Sequence, residues 1–305
     1  MPWRGQGPPW HEVPRMPELP EVETIARQLR GMVVGRTVSG FHSDWHKLTE
    51  PDPASLVSAR LGGRRIEAVR RRGKLVVFEL DAGEALVVSL RMTGKLLFRE
   101  PGAPDGDRFV RGTIAFADGS ALAFSDIRKF GRMSLVASAD ISPDRGAARG
   151  AGRDLYRSLG IEPLSRGFTL PWFRAFLARR ARGAIKPLLL DGRGIAGIGN
   201  IYAIEALWRA RIHPLRTAGS LKPDEIARLH EALRWVLRKG IRYGGSSLTD
   251  YVDAKGQRGR MQREFEAYGR DGEPCSRCGA EIRRTVVGGR GTFHCPRCQR
   301  APRVR

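Results

Sequence analysis

Apolar positions along the chain change period twice. After Pro20, Val22, Ile25 and Leu29 recur at helical spacing, and Gly31 predicts the end of that helix. From about residue 36 to 136 the period is that of strands. Lys74–Leu80 and Ala85–Leu90 are β-rich runs joined by Asp81-Ala82-Gly83-Glu84. Thr113–Phe116 and Ala121–Phe124 flank Asp118-Gly119, a hairpin signal. Few helical patterns intervene, which predicts a mostly antiparallel β-sandwich. Residues 137–153, rich in Ala, Gly, Asp and Arg, read as a linker. Beyond them the pattern is helical over Leu170–Arg180, over Gly199–Arg211, and again where Ile226, Leu229, Leu233 and Leu237 follow Pro223-Asp224-Glu225. Residues 244–270 are polar and glycine-rich and read as loop. Residues 1–15 hold four prolines without periodicity, and read as a disordered extension or a mis-assigned start. The expected α+β organisation is a sandwich domain over 16–136, the linker, a helical domain over 154–270 and a small cysteine module over 271–300.

Composition narrows the partners. A 305-residue chain, 41% hydrophobic, is long enough for two domains with real cores. No apolar run is long enough to span a bilayer, and no secretory leader precedes the first helix, so the expectation is a cytoplasmic protein without a membrane partner. The formal charge of +22 favours a polyanion, most plausibly nucleic acid, through counterion release. A solvated basic surface or an arginine-rich genome is the competing explanation. The charge recurs along the whole chain and is not a tail, which favours nucleic acid. Only eight of the 54 basic residues are lysines, so a lysine at a given point can reflect a need for a compact, titratable amine.

Four segments carry candidate chemistry. Cys275-x2-Cys278-x16-Cys295-x2-Cys298 has the spacing of a closed tetrahedral zinc site, each close pair gripping one side of the metal. Two disulfides are the alternative, and a cytoplasmic setting argues against them. Gly288-Gly289-Arg290-Gly291 falls where a hairpin between the pairs would turn, which would push Arg290 outward toward a phosphate or base. In Asp126-Ile127-Arg128-Lys129-Phe130-Gly131, Arg128 and Phe130 would share a strand face, a cation beside an apolar wedge, suited to entering a base stack; Met92 could add a second wedge. Aromatic and methionine residues are mostly buried, however, and on sequence alone the core reading of Phe130 and Met92 is the stronger. Gly197-Ile198-Gly199-Asn200 opens a helix and could cradle a phosphate, a weak pattern alone, and Lys74 follows the basic run Arg70-Arg71-Arg72-Gly73 as solvated charge or a phosphate clamp. Finally, Met16-Pro17-Glu18-Leu19-Pro20-Glu21-Val22-Glu23 puts a proline after a methionine and a carboxylate after the proline. If translation begins at Met16 and that residue is trimmed, Pro17 is a free secondary amine able to attack a sugar carbon, with Glu18 beside it as proton source. Within a longer chain its nitrogen is an amide and no nucleophile.

Taken together these segments, from Pro17 to Cys298, resemble the formamidopyrimidine-DNA glycosylase family, with Tyr268-Gly269-Arg270 as a further shared motif. The resemblance implies an N-terminal β-sandwich and a C-terminal helix-two-turn-helix domain with a zinc finger holding one structural zinc per chain. DNA would lie in the cleft between the domains. It implies a monomeric, nucleoid-associated glycosylase and abasic-site lyase acting on double-stranded DNA that carries oxidised purines or abasic sites. Pro17 is then the Schiff-base nucleophile and Glu18 the proton donor. Lys74 takes phosphate contact and β-elimination, and Arg290 δ-elimination. Met92, Arg128 and Phe130 fill the gap left by a flipped nucleotide, with Lys129 beside them, and Arg182 and Asn200 contact DNA. Where the family often has histidines this chain has Arg108-Phe109-Val110-Arg111, so phosphate contact passes to Arg108 or Arg111 or is lost. Leu19, where the endonuclease VIII type usually has glycine, favours the purine-lesion branch over that sister group. Recognition of the flipped base is expected in the loop around residues 246–262. The rival from another class is a non-catalytic zinc-containing DNA-binding protein.

Overall fold

The computed structural model describes residues 16–103, 106–141 and 158–302. The expected extension 1–15 and residues 142–153 of the expected linker lie outside the described residues.

The first element, α1 (Leu19–Val33), turns Leu19, Val22, Ile25, Leu29 and Val33 onto one fully buried face. It does not stop at Gly31. A glycine inside a helix costs about 1 kcal/mol, and continuing one more half-turn buries Val33, worth about 1.5–3 kcal/mol. The chain leaves the helix at the extended Val34, and Gly35, at φ +86°, takes the left-handed turn. There follow β1 (Val38–His42), α2 (Ala54–Leu61), β2 (Ile66–Arg72), β3 (Leu75–Leu80), β4 (Glu84–Ser89), β5 (Gly94–Arg99), β6 (Val110–Phe116), β7 (Ala121–Asp126) and β8 (Arg132–Ala137). α2 is an addition to the expected pattern: it buries only Val57 and Leu61, too few for a visible stripe.

These strands make two antiparallel four-stranded sheets, ordered β2-β3-β4-β8 and β1-β6-β7-β5. One core lies between them, built from Val69, Phe78 and Val88 of one sheet, Phe41, Ile114 and Phe124 of the other, and the α1 face. Gly119 at φ +85° makes the β6–β7 turn where Asp118-Gly119 predicts it.

The remaining elements are α3 (Leu170–Ala178), α4 (Ile185–Leu190), α5 (Asn200–Ala210), α6 (Pro223–Arg242) and the hairpin β9 (Arg283–Val287)–β10 (Arg290–His294). Gly288 and Gly289, both at positive φ, form its two-residue turn. The described residues divide into two compact units. One runs through Ala139 and includes Tyr243–Gln262; the other holds Asp140–Arg242 and the chain from Arg263 onward. Residues 243–262 thus pack with the sheets although they follow α6 in sequence, because Tyr251 and Ala254 enter the sandwich core. No helix among the described residues is long and apolar enough to cross a membrane.

Candidate active site

Pro17 and Glu18 are buried at the N-terminus of α1, with Glu18 as the N-cap. The carboxylate that organises this end is Glu21, 2% exposed. Its Oε2 accepts the Glu18 backbone N–H at 2.9 Å, and its Oε1 accepts the Ser246 N–H at 2.7 Å. One side chain therefore holds both the Pro17-Glu18 junction and the start of the 243–262 segment. The approach is close: a Cβ on Gly245 would sit 2.8 Å from Glu21 Cγ and 2.9 Å from its Oε1. Farther along α1, Gln28 Nε2 donates to Asp253 at 2.7 Å and Gln28 Oε1 accepts the Ala254 N–H at 2.9 Å. Burial, with Glu21 nearby, pushes the Tyr251 phenol above its ordinary range, so it stays a hydroxyl and reaches the Gly244 carbonyl at 3.1 Å.

Glu23 faces the other way. It accepts from Arg71 Nε at 3.0 Å, and Arg71 also donates to the Gly73 carbonyl at 2.9 Å. This fixes the β2–β3 turn, in which Lys74 follows Gly73 at φ +58°. Pro17, Glu18 and the Lys74 turn are thus all braced by the first turn and a half of α1.

The Asp126–Gly131 motif leaves β7 as a tight loop. Phe130 is 46% exposed, Met92 half-buried and Arg128 exposed. The core reading of Phe130 and Met92 therefore fails. Phe124 and Met133 supply that part of the core instead. The Arg128 guanidinium lies 4.8 Å over the Phe130 ring, but not on a shared strand face as expected: the strand ends at Asp126 and the reversal at Lys129 brings the two together in a loop. Lys129 is exposed with φ +57°. Arg108 is exposed and lies over Phe109, whereas Arg111 donates its Nε to the Asp126 carbonyl at 3.1 Å.

In the second unit, Asn200 begins α5, and its Nδ2 donates to the Gly291 carbonyl at 3.0 Å. Two residues 91 apart in sequence are thereby joined, beside the exposed Arg290; Asn200 Oδ1 is buried without a hydrogen-bond partner among the described residues. Arg182 is exposed after α3. The four cysteine sulfurs lie within 4.8 Å of one another, with Cys278 3.5 Å from both Cys295 and Cys298, and none is in a disulfide. Tetrahedral zinc at about 2.3 Å from each sulfur sets sulfurs about 3.8 Å apart, so the donor set fits that ion. Around it, Arg277 stacks 3.7 Å over Trp208 and donates to the Trp208 carbonyl at 2.7 Å, and Gln299 reaches the Ile212 carbonyl at 2.9 Å. Both seat the cysteine module on the C-terminal end of α5.

Glu205 escaped the sequence reading. Its carboxylate is buried and accepts the N–H groups of Glu266, Ala267 and Tyr268 at 3.0, 3.0 and 2.8 Å. Burial pushes its pKa up, opposed by those three donors. The only signal was an acid amid apolar residues in Asn200–Ala210. Glu21 was legible only as part of a motif.

Three family models cover these features. "Formamidopyrimidine-DNA glycosylase N-terminal domain" matches residues 16–133, "Formamidopyrimidine-DNA glycosylase H2TH domain" residues 159–252, and "Zinc finger found in FPG and IleRS" residues 272–301. The formamidopyrimidine-DNA glycosylase of Herpetosiphon aurantiacus is 47% identical over 93% of this chain and 100% of its own length. The chain belongs to the formamidopyrimidine-DNA glycosylase family. The relative from Chloroflexus aggregans, also 47% identical, spans 93% of this chain and 98% of its own. Among solved structures, a Lactococcus lactis mutant of this family bound to DNA containing Fapy-dG superposes with a TM-score of 0.83 at 36% identity, covering 93% of this chain and all of that one. The same relative bound to abasic-site DNA gives 0.81. As a formamidopyrimidine-DNA glycosylase family member, the chain is a DNA-repair enzyme with a zinc-finger domain.

Proposed function

We propose that this chain excises oxidised purines from double-stranded DNA and then cleaves the strand, with Pro17 as the nucleophile. The observation that carries the reading is the Pro17-Glu18 junction, buried at the start of α1 and held by Glu21, at the point where the family match begins. The nitrogen of Pro17 must be free, so the functional polypeptide starts after Met16.

The chemistry then follows from the residues. A damaged base cannot be attacked inside the duplex, so it is flipped out while Met92, Arg128 and Phe130 fill the gap. The Pro17 nitrogen lone pair forms a bond to C1′ as the glycosidic bond breaks, and the base leaves with the bonding pair and takes up the proton that the Pro17 nitrogen gives up. Glu18 supplies the proton for sugar-ring opening to the iminium. The iminium acidifies C2′–H, and loss of that proton expels the 3′ phosphate, with Lys74 assisting; a second elimination expels the 5′ phosphate, assisted by Arg290. Cys275, Cys278, Cys295 and Cys298 would hold one zinc, which supplies folding energy to the β9–β10 hairpin and takes no part in bond making. Arg108, Arg111, Lys129, Arg182 and Asn200 serve as DNA contacts, and the 246–262 segment reads the flipped base.

A second substrate class has specific support: the Lactococcus lactis relative is also known in complex with DNA containing an oxidised pyrimidine. Excision of both classes is therefore measured together.

Borohydride trapping on an abasic duplex tests the proposal, with chains starting at Met1 and at Met16 side by side. The expected result is a covalent adduct with the Met16 form after removal of its methionine, and none with a chain that retains residues 1–15. Salt-sensitive DNA binding with no adduct from either form would leave a non-catalytic DNA-binding protein. A full adduct from a chain proved by intact mass to retain residues 1–15 would remove Pro17 as nucleophile.

A further inference from the structure

The loop that would enter the base stack is built around one carboxylate. Asp126 ends β7 and is fully buried. Its Oδ2 accepts the N–H groups of Phe130 and Gly131, both at 2.8 Å, and its Oδ1 accepts the Arg128 N–H at 3.2 Å and the Thr93 hydroxyl. Thr93 Oγ1 in turn accepts the Arg128 N–H at 3.1 Å. Thr93 follows Met92 in the turn between β4 and β5, where Arg91 has φ +52°. Both turns that display the wedge, the exposed Arg128 and Phe130 and the half-buried Met92, are thus keyed to one buried group, and only through backbone donors and a hydroxyl. None of these bonds uses a wedge side chain.

The surroundings leave the loop no other seat. Lys129 takes a left-handed conformation, so the chain reverses between Arg128 and Phe130. A Cβ on Gly131 would come within 2.2 Å of the Phe124 ring and 3.3 Å of Asp126 Oδ2, so no larger residue lets that N–H reach the carboxylate. Arg111 closes the far side on the Asp126 carbonyl.

We infer that Asp126 is a positioning residue that pre-forms the wedge, acting on excision through Arg128, Phe130 and, by way of Thr93, Met92. The inference rests on the proposed wedge role of those three. Its chemical consequence is a lower cost for displacing a base from the duplex: the loop is ordered before DNA arrives, so that ordering is not charged against flipping. Substrates that need no unstacking gain nothing from it.

The test compares two substrates in single-turnover trapping: an oxidised purine in a duplex, and an abasic site in a single strand. Asp126→Asn turns an amide donor toward loop donors, and is expected to lower the duplex-to-single-strand rate ratio by about tenfold or more. Thr93→Val, which removes only the bridge, is expected to lower it in the same direction by less, and it decides the matter if Asp126→Asn does not fold. A 2-aminopurine beside the lesion should brighten more slowly with both variants. Asp126→Asn should add little to Phe130→Ala, because the first acts through the second. An unchanged ratio in both variants, both substrates falling alike, or a fully additive double variant would overturn the inference. A parent protein that traps neither substrate would instead overturn the glycosylase reading on which it rests.

Discussion

Glu21 carries the sharpest quantitative consequence of the fold. Its two oxygens each accept one buried backbone N–H, from Glu18 and from Ser246. In Glu21→Gln one oxygen remains, and the amide nitrogen turns a donor toward the other N–H. A hydrogen bond to a charged group is worth about 1.5–3 kcal/mol, and the negative charge at a helix N-terminus adds about 0.3–1 kcal/mol. The two together give an expected loss of about 2–4 kcal/mol on urea unfolding.

The same contact can be attacked from its other side. Gly245→Ala puts a methyl 2.8 Å from Glu21 Cγ, at a backbone φ of +80° that disfavours any side chain. It should destabilise by a comparable amount. Glu21→Ala removes the atoms that the new methyl strikes, so the double variant Glu21→Ala/Gly245→Ala should lose less than the sum of the singles. Both Glu21→Gln and Gly245→Ala should also slow trapping on a duplex lesion, since they disturb the Glu18 backbone and the 243–262 segment together. The reasoning is refuted if Glu21→Gln unfolds within about 0.5 kcal/mol of the parent, the range of neutral surface changes, or if the two sites prove additive.

Other consequences are simpler to state. Glu205→Ala leaves three buried N–H groups without an acceptor; at about 1 kcal/mol or more each, unfolding should cost about 3 kcal/mol less than in the parent, and a chelator should extract zinc faster. Colorimetric titration should find one zinc per chain, and stripping it should abolish the amide protection of Arg283–His294 while that of the sandwich strands survives. Arg71→Ala removes one of the two arginines that pair with Glu23, Arg27 being the other, and the brace on the Gly73 carbonyl. The expected result is slower strand cleavage from the iminium, with adduct formation much less affected, read as a larger share of uncut DNA in the borohydride-trapped adduct on a gel.

How much of this was legible depended on whether a residue works through its side chain or its neighbours' backbone. The cysteine spacing, the Gly288-Gly289 turn and the Asp118-Gly119 hairpin were readable because few conformations satisfy them. The helix end at Gly31 was misread because a single glycine yields to the burial of Val33. Phe130 and Met92 were weighed toward the core by residue type, yet the core has Phe124 and Met133 within a few positions and needs neither. Residues 244–270 read as a polar, glycine-rich loop, and the packing of 243–262 on α1 was not visible because its anchors are mostly backbone amides received by Glu21 and Gln28. A carboxylate whose task is to accept such amides, as in Asp126, Glu205 and the Ser246 contact of Glu21, leaves no spacing rule in the sequence; only the reach of Glu21 back to its N-cap has one.

That last group changes the meaning of the Pro17–Glu23 run. Leu19 and Val22 belong to the buried face of α1, Pro20 suits a first helical turn where its missing N–H has no partner to lose, and Glu23 fixes the Lys74 turn through Arg71. Glu21 holds Glu18 and the 243–262 segment. Every residue from Leu19 to Glu23 is thus accounted for by packing or positioning, and none of these roles requires the chain to begin at residue 17. Only Pro17 is left unexplained by the fold: an internal proline amide there does nothing that another residue before an N-cap could not do. A secondary amine at that nitrogen does: the iminium it forms with C1′ has no N–H left to lose, so its positive charge persists until elimination. The structural roles of Leu19–Glu23 and the proposed chemical role of Pro17 are therefore separable by experiment. Substitutions at Glu21 or Glu23 should act on both stability and trapping, whereas Pro17→Ala in the chain started at Met16 should leave urea unfolding within about 0.5 kcal/mol of the parent while changing the trapping rate. Equal losses of stability and trapping at Pro17 would return that residue to the scaffold.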